Sequence, residues 1–399
     1  MTVKRSVTDF AVAGGEPTFS KVIPVGQLYF PSWERYESAM RDIFNRRYYT
    51  NHGPLLEQLE ARLEEFFGVR HAIAVTNATI GLIMIAKALF RDGKILVPGF
   101  TFVGTAQAIS FAGLDPVFCD VDALTHHVTP ESLDKALEAD VRAILGVNLW
   151  GGAVDFGAIE RYAKSKGIPV FYDSAHGIGS SIGDRRLGGF GLAEVFSFHA
   201  TKVLGSTEGG CICTNDDDLA ALLRNMRCGY GMGRIVEVPV TTNGRMSEAQ
   251  AAIALMSLDD LDEHIARNQA LAARYASALA DIPGFELCDP TGVDFSNRQY
   301  LVCAVDADAF GLSRDGLARL LRAENIYARR YFFPGVHRSV PYATKYPQYL
   351  ERLATTDILC SKLIQLPIGA LVTEEDIDAI GAVIREASGH AQSLQRFLT

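Results

Sequence analysis

The chain has 399 residues, 48% of them hydrophobic and 21% charged, with a formal net charge of −9. That composition excludes long disorder and low-complexity structure, and the excess of acid without a long Lys/Arg run excludes non-specific nucleic-acid binding. No apolar stretch is long enough to span a bilayer, and the opening MTVKRSVTDFAVAGGEP breaks with charges and Gly-Gly where a signal peptide needs an unbroken apolar region, so the chain is expected to be cytoplasmic.

Seven scattered cysteines, an odd number, suit a reducing compartment. Cys211 and Cys213 are too closely spaced for a metal site and read as small hydrophobes on a strand, so no metal is expected.

Between roughly positions 55 and 225, short apolar runs bounded by turn residues alternate with helix-like stretches, the pattern of a parallel sheet covered by helices. The runs HAIAVT (71–76), KILVPG (94–99), DPVFCDVD (115–122), VRAILGVN (141–148), IPVFYD (168–173), AEVFSF (193–198) and GGCICTN (209–215) predict seven strands. LLEQLEARLEEFFG, TIGLIMIAKALFRDG, TPESLDKALEA and DFGAIERYAKSKG carry apolar residues at helical spacing and predict the helices between them. One long helical stretch is then expected from GRMSEAQAAIALMSLDDLDEH onward. It is followed by a strand YLVCAVDA, a helix SRDGLARLLRAEN, a strand YARRYFF and a last helix capped by Thr373 with Asp376. The expected organisation is a large α/β domain over 1–248 with an N-terminal arm and a smaller C-terminal α+β domain over 249–399.

Ligands of such sheets bind outside the carboxyl ends of the strands, so the residues that follow each strand are the candidates. After HAIAVT, the segment from Asn77 through Ala78 and Thr79 to Gly81 opens a helix whose free N–H groups suit a phosphate, an ordinary N-cap being the alternative. IPVFYD ends on Asp173, an acid closing an apolar run, which calls for either a cationic partner or a capping role. His176 follows three residues later, within reach of the same ligand or as a structural histidine. In AEVFSFH, side-chain alternation puts Phe196 and Phe198 on one face and Ser197 and His199 on the other, with Lys202 just past the strand end. A lysine, a carboxylate, hydroxyls and a phosphate-binding helix start on one rim are the parts that pyridoxal 5'-phosphate requires: an amine to bond its aldehyde, an acid to keep its ring nitrogen protonated and donors for its phosphate.

Over nearly its whole length, from VAGGEP through YYTNHGPLLEQLE, VTNATIGL, VPGFTFVGTAQAI, FYDSAHGIG and FSFHATKVLGSTEGG to TTNGRMSEAQAA and YFFPGVH, the sequence resembles the DegT-type (DegT/DnrJ/EryC/StrS) nucleotide-sugar aminotransferases. The resemblance implies the aspartate-aminotransferase fold, fold type I of the pyridoxal-phosphate enzymes. It implies that Lys202 holds the cofactor covalently and moves the proton, that Asp173 pairs with the ring nitrogen, that Ala78, Thr79 and Ser197 hold the phosphate, and that Phe102 lies against the ring. His176 stands where many members have Gln and would donate to the ring oxygen. Asn243 would reach the phosphate from a second subunit, implying a homodimer with shared sites. Gly244 replaces a frequent Tyr. Arg245, Arg330, Tyr331 and His337 are candidates for contact with the nucleotide sugar. L-glutamate is the implied amino donor, and the stretch from FHATK to EGG resembles the branch that aminates C4 of a dTDP-4-keto-6-deoxyhexose. A C3-specific aminotransferase of the same family and a non-catalytic ligand-binding regulator are the alternatives. A dehydratase on this fold would carry histidine where Lys202 stands.

Overall fold

A computed structural model describes residues 4–228 and 233–398. The strands in chain order are β1 (His71–Val75), β2 (Lys94–Pro98), β3 (Asp115–Cys119), β4 (Val141–Val147), β5 (Val170–Asp173), β6 (Ser181–Ile182), β7 (Arg185–Arg186), β8 (Glu194–Ser197), β9 (Gly210–Thr214), β10 (Phe285–Cys288), β11 (Leu301–Val305) and β12 (Leu363–Leu366). All seven strands read from the apolar runs form one sheet in the order β1-β9-β8-β5-β4-β2-β3. The pairs among β2, β3, β4, β5 and β8 are parallel, whereas β9 runs antiparallel to both of its neighbours. The carboxyl ends of β1, β2, β4, β5 and β8 and the amino end of β9 therefore share one rim.

Helices cover both faces, which is why the strands are apolar along their length rather than alternating. Each starts and stops where local chemistry requires. Asn77 caps the helix Ala78–Leu89 by accepting from Ile80 N, Thr129 caps Pro130–Ala136 through a capping box, and Asp155 caps Phe156–Lys166, which Gly167 ends in the left-handed conformation at φ 69°. Gly81 admits the helix onto the sheet: a Cβ there would lie 3.0 Å from Val195 Cγ1 and 3.2 Å from Ile212 Cγ1. Buried side chains such as Leu59, Ile73, Leu96 and Ile144 each contribute about 1.5–3 kcal/mol relative to exposure.

The expected long helix is two helices, Glu248–Asp259 and Leu261–Ala278, broken at Asp260. No Gly or Pro marks the break; the Asp260 carboxylate is held from outside by Tyr29 and by Arg35 Nη1 at 2.6 Å. The first of the two helices packs into the core of the large sheet through Ala251, Ala254, Leu255 and Leu258, and a second apolar cluster starts only at Leu271. Phe10 and Phe19 of the N-terminal arm join that second cluster, around the antiparallel sheet β10-β11-β12. Along these two helices the first core's contacts end at Ile265 and the second core's begin at Leu271, while Tyr300, Val302 and the segment Phe332–Leu363 also contribute to the first core. Thr373 and Asp376 form the capping box of the last long helix, Glu374–Gly389, as the sequence indicates. The segment Tyr327–Phe333 is not a strand; only Arg329 bridges β12, at Gln365, before Phe333 N bonds Arg330 O in a turn that Pro334 follows.

From residue 4 the arm is strapped to the smaller core by a buried ion pair, Lys4 Nζ to Glu324 at 2.9 Å, with Thr18 and Ala11 N donating to the same carboxylate. It then runs along the large sheet's rim, where Gln27 N donates to Thr201 O.

Candidate active site

A cavity of about 660 Å³ opens on the shared rim, lined among others by Ala78, Thr79, Phe102, Asp173, His176, Ser197, Lys202 and Tyr331. Eight of the residues proposed from the sequence are thereby brought together from four strand ends, those of β1, β2, β5 and β8, and the segment after β11.

Lys202 owes its position to the turn that follows β8. Phe198 N donates to Gly209 O, Ser206 N to Phe198 O, and Lys202 N to His199 O at 2.8 Å. His199, which carries no chemistry legible in the sequence, has a structural task here: its Nδ1 accepts from Thr201 N at 3.2 Å and faces Thr201 Oγ1 at 2.8 Å, closing the turn one residue before the lysine. Lys202 Nζ donates to Tyr300 OH at 2.8 Å and lies over the same ring at 5.2 Å. Burial lowers the amine to about pKa 8; Tyr331 and Asp173 oppose the shift and the Arg329 guanidinium adds to it. A lysine so placed presents a substantial neutral fraction at mildly alkaline pH, the form that attacks a carbonyl.

Asp173 closes a fully buried strand. Its Oδ2 accepts from Thr105 Oγ1 at 2.8 Å, which lies 3.0 Å from Thr101 Oγ1, and its Oδ1 accepts from Ala175 N at 3.1 Å. Burial raises its pKa against those bonds, and among the described residues it has no ion-pair partner within 4.0 Å. Such a carboxylate retains acceptor capacity for a cationic group in the cavity. The adjoining Ser174 is fixed from below, its hydroxyl donating to buried Glu194 at 2.6 Å while accepting from Asn148 Nδ2 at 2.8 Å.

His176 is buried, and desolvation holds it well below the usual histidine range. Its Nδ1 accepts from Trp150 N at 3.4 Å, so the tautomer that satisfies this bond carries its proton on Nε2. A histidine in this position can therefore give the single hydrogen bond that an amide side chain would.

The N–H groups of Ala78 and Thr79 have no hydrogen-bond partner among the described residues. Gly210 keeps this helix start clear, since a Cβ on it would sit 2.8 Å from Ala78 N. Ser197 Oγ accepts from His199 N at 3.3 Å and lines the same space. Phe102 caps its helix without a side-chain bond, and its ring folds over Gly104 and remains half exposed.

The remaining candidates lie elsewhere. Arg245 donates to Asn243 Oδ1 at 3.0 Å and to Asn51, and neither Asn243 nor Arg245 lines the chain's own cavity. A Cβ on Gly244 would lie 3.0 Å from Ile80 Cγ2 and 3.2 Å from Met84 Sδ, a tight fit. Arg330 faces away from the cavity to Asp315 at 3.3 Å, and it is Arg329 that reaches in. His337 is buried and bonded to Asp357 at 3.1 Å outside the cavity. Tyr300, Thr105, Trp150 and Arg329 were not among the candidates. Trp150 and Thr105 follow strand ends and could have been found by that rule; Tyr300 immediately precedes β11 of the other sheet and carries no local mark.

A family model described as the DegT/DnrJ/EryC1/StrS aminotransferase family matches residues 33–385. The chain belongs to this family. The dTDP-4-amino-4,6-dideoxy-D-glucose transaminase of Shigella dysenteriae is 32% identical over 374 residues, spanning 92% of this chain and 99% of that protein. The crystal structure of DesI in the presence of its TDP-sugar product superposes with a TM-score of 0.91 at 34% identity, covering 98% of this chain and 99% of that one. That of S. venezuelae DesV gives 0.83 at 26% identity over 92% of this chain and 100% of its own. The fold is that of the fold type I pyridoxal-phosphate enzymes, and this family member is an aminotransferase. The cavity fits the family's cofactor on its own terms: a half-buried amine of lowered pKa, an unpaired buried carboxylate and an uncovered helix start stand on one rim. Among the described residues no cluster of His, Cys, Asp or Glu is arranged to hold a metal, and no helix is long and apolar enough to cross a membrane.

Proposed function

We propose that the chain transfers an amino group from L-glutamate to C4 of a dTDP-linked 4-keto-6-deoxyhexose, with pyridoxal phosphate joined covalently to Lys202. The observation that carries this reading is that the Lys202 amine and the Asp173 carboxylate face one cavity whose far wall is the uncovered helix start at Ala78 and Thr79. When bound, the cofactor supplies a ring that accepts the electron pair released at the substrate carbon. The protein does the rest. Ala78 and Thr79 N–H groups and the Ser197 hydroxyl bind the phosphate, Asp173 retains the proton on the ring nitrogen, and His176 Nε2–H donates to the ring oxygen. Lys202 Nζ removes a proton from the carbon of the donor and later delivers one to the carbon of the sugar. Tyr300 OH, which accepts from Nζ, orients the amine.

The name of the Shigella relative, a 4-amino-4,6-dideoxy sugar, and the FHATK and EGG motifs favour C4; the TDP-sugar in the DesI structure favours the nucleotide. An assay with L-glutamate against a panel of 3-keto and 4-keto nucleotide sugars is expected to yield a product aminated at C4 from the dTDP-linked compounds. A C3 product would reassign the position, and no product from any member would overturn the reading.

Asn243 and Arg245 lie outside their own cavity, which favours a role across a homodimer. Mixing inactive Lys202→Ala subunits with inactive Asn243→Ala subunits is expected to restore roughly a quarter of wild-type turnover, because random pairing makes half of all dimers mixed and each mixed dimer holds one intact site. No recovery would place Asn243 within its own chain's chemistry.

A further inference from the structure

Behind the cavity wall, the turn that follows β4 ends three of its N–H groups on histidine. Leu149 N donates to His127 Nε2 at 3.1 Å, Trp150 N to His176 Nδ1 at 3.4 Å, and the indole Nε1 of Trp150 to His126 Nδ1 at 3.1 Å. All three imidazoles are buried, and desolvation favours the neutral form of each: it brings His126 down to about 4, His127 to about 3 and His176 well below the ordinary histidine value. Only a neutral imidazole has a nitrogen that accepts. His176 lines the cavity, whereas His126 and His127 lie in the loop after β3, outside it.

The turn is held in a conformation that tryptophan seldom adopts. Gly152 N donates to Leu149 O at 2.7 Å, and both residues between them have positive φ, Trp150 at 62° and Gly151 at 88°. Glycine takes up that conformation freely; a bulky side chain keeps it only where the surroundings over-determine it. Here the indole stacks on Phe332 with centroids 5.3 Å apart and meets Phe100 edge-on at 6.2 Å, and its one N–H, the directional bond of the side chain, is received by His126. His126 is itself set by its loop: it has φ 64°, a region in which histidine is enriched, and its N–H donates to Asp122 O at 2.9 Å. The backbone of His176 is fixed separately, Asn297 Nδ2 donating to its carbonyl oxygen at 2.9 Å. What the Trp150 N–H decides is therefore the proton on the His176 ring, which stays on Nε2 while Nδ1 receives a donor.

We propose that His126 is a positioning residue for His176: by receiving the indole N–H it holds Trp150 in the left-handed turn, which aims the Trp150 backbone N–H at His176 Nδ1 and keeps the His176 proton on Nε2. The use of that proton rests on the reading above, in which His176 Nε2–H donates to the ring oxygen of the cofactor. Without the Trp150 donor either ring nitrogen can hold the proton, and the form protonated on Nδ1 presents the oxygen with a lone pair in place of a donor.

Nitrogen-15 NMR of the histidine-labelled, cofactor-free protein at pH 7 to 8 tests this, the His176 signals being those that disappear in His176→Phe. Wild type is expected to show His176 in the Nε2–H form alone. Both tautomers should appear in His126→Leu and in Trp150→Phe, which removes the indole N–H and leaves His126 in place. His126→Asn should restore the single form, because its side-chain oxygen can stand where Nδ1 does and asparagine tolerates positive φ. Affinity for pyridoxal phosphate, titrated into the cofactor-free proteins, is expected to fall about three- to tenfold in His126→Leu and Trp150→Phe and to stay within about twofold in His126→Asn. In a His176→Phe background, His126→Leu should lower it no further. An unchanged single tautomer in both His126→Leu and Trp150→Phe would overturn the proposal, as would an affinity loss of full size in the His176→Phe background, which would make His126 a support of the wall alone. If the tautomers mix while affinity stays that of wild type, the positioning role stands and the contact of His176 with the ring oxygen falls. If wild type takes up no pyridoxal phosphate, the cofactor reading falls and the NMR result decides the proposal by itself.

Discussion

Lys202→Met is expected to lower turnover by on the order of a thousandfold or more, and at the same time to raise the melting temperature of the cofactor-free protein at pH 7 by a few degrees, roughly. The first effect follows from losing the amine that both holds the cofactor and carries the proton. The second follows from where that amine sits. Its pKa falls from 10.5 to about 8 in the folded chain, chiefly because burial disfavours the cation. Between those two pH values the unfolded chain binds more protons than the folded one, so this group makes the wild type more stable as pH rises through the window and leaves it penalised below it. Methionine fills a similar volume without charge. Its advantage should therefore be full below about pH 8 and shrink as pH climbs toward 10.5. Melting curves of both proteins at several pH values check the sign. A variant less stable than wild type at pH 7 would show the amine to be a structural ion rather than a catalytic group held at a cost, and near-normal turnover would remove Lys202 from the chemistry.

The same physics explains what the sequence makes legible. The large sheet is buried on both faces, so each of its strands is a short continuous apolar run, and all seven stand out between helices with 3.6-residue periodicity. The residues that follow those strands fall on one rim for topological reasons, which is why Ala78, Thr79, Asp173, Ser197 and Lys202 could be grouped without coordinates. What escapes local reading is set by distant partners. The break at Asp260 depends on Tyr29 and Arg35, more than two hundred residues earlier. β12 is absent from the expected strands, and its strand character comes from pairing with β11. Tyr300 becomes the partner of Lys202 only because the segment leading into β11 crosses over the large sheet's rim. Arg330 is a candidate from the sequence and Arg329 is not, yet it is Arg329, bridged to Gln365, that lines the cavity. His337 carries a motif-like position but is consumed by its bond to Asp357.

Asp173→Asn is expected to reduce turnover by about 10²–10⁴-fold and to weaken cofactor binding, with no loss of fold. The substitution is isosteric, and the surroundings can accept it: an amide oxygen still takes the Ala175 N–H, while the amide nitrogen donates to Thr105 Oγ1, whose hydroxyl proton can turn to Thr101 Oγ1 at 3.0 Å. What the amide cannot do is hold a proton on a cationic ring nitrogen. Burial raises the carboxyl's pKa in the fold, so its contribution to stability is fully present below the unfolded value of 3.8 and lost as pH rises through the folded value. At pH 7 to 8, well above the unfolded value, the wild type thus carries the cost of burying this carboxyl with no ion-pair partner among the described residues, and the asparagine variant should melt at the same temperature or higher when both are free of cofactor. The order should reverse once cofactor is added, because the ligand stabilises only the protein that binds it tightly. Melting curves with and without pyridoxal phosphate, alongside turnover, separate the two roles. A cofactor-dependent stabilisation as large in Asp173→Asn as in wild type would mean that the carboxylate supports the strand end rather than the ring.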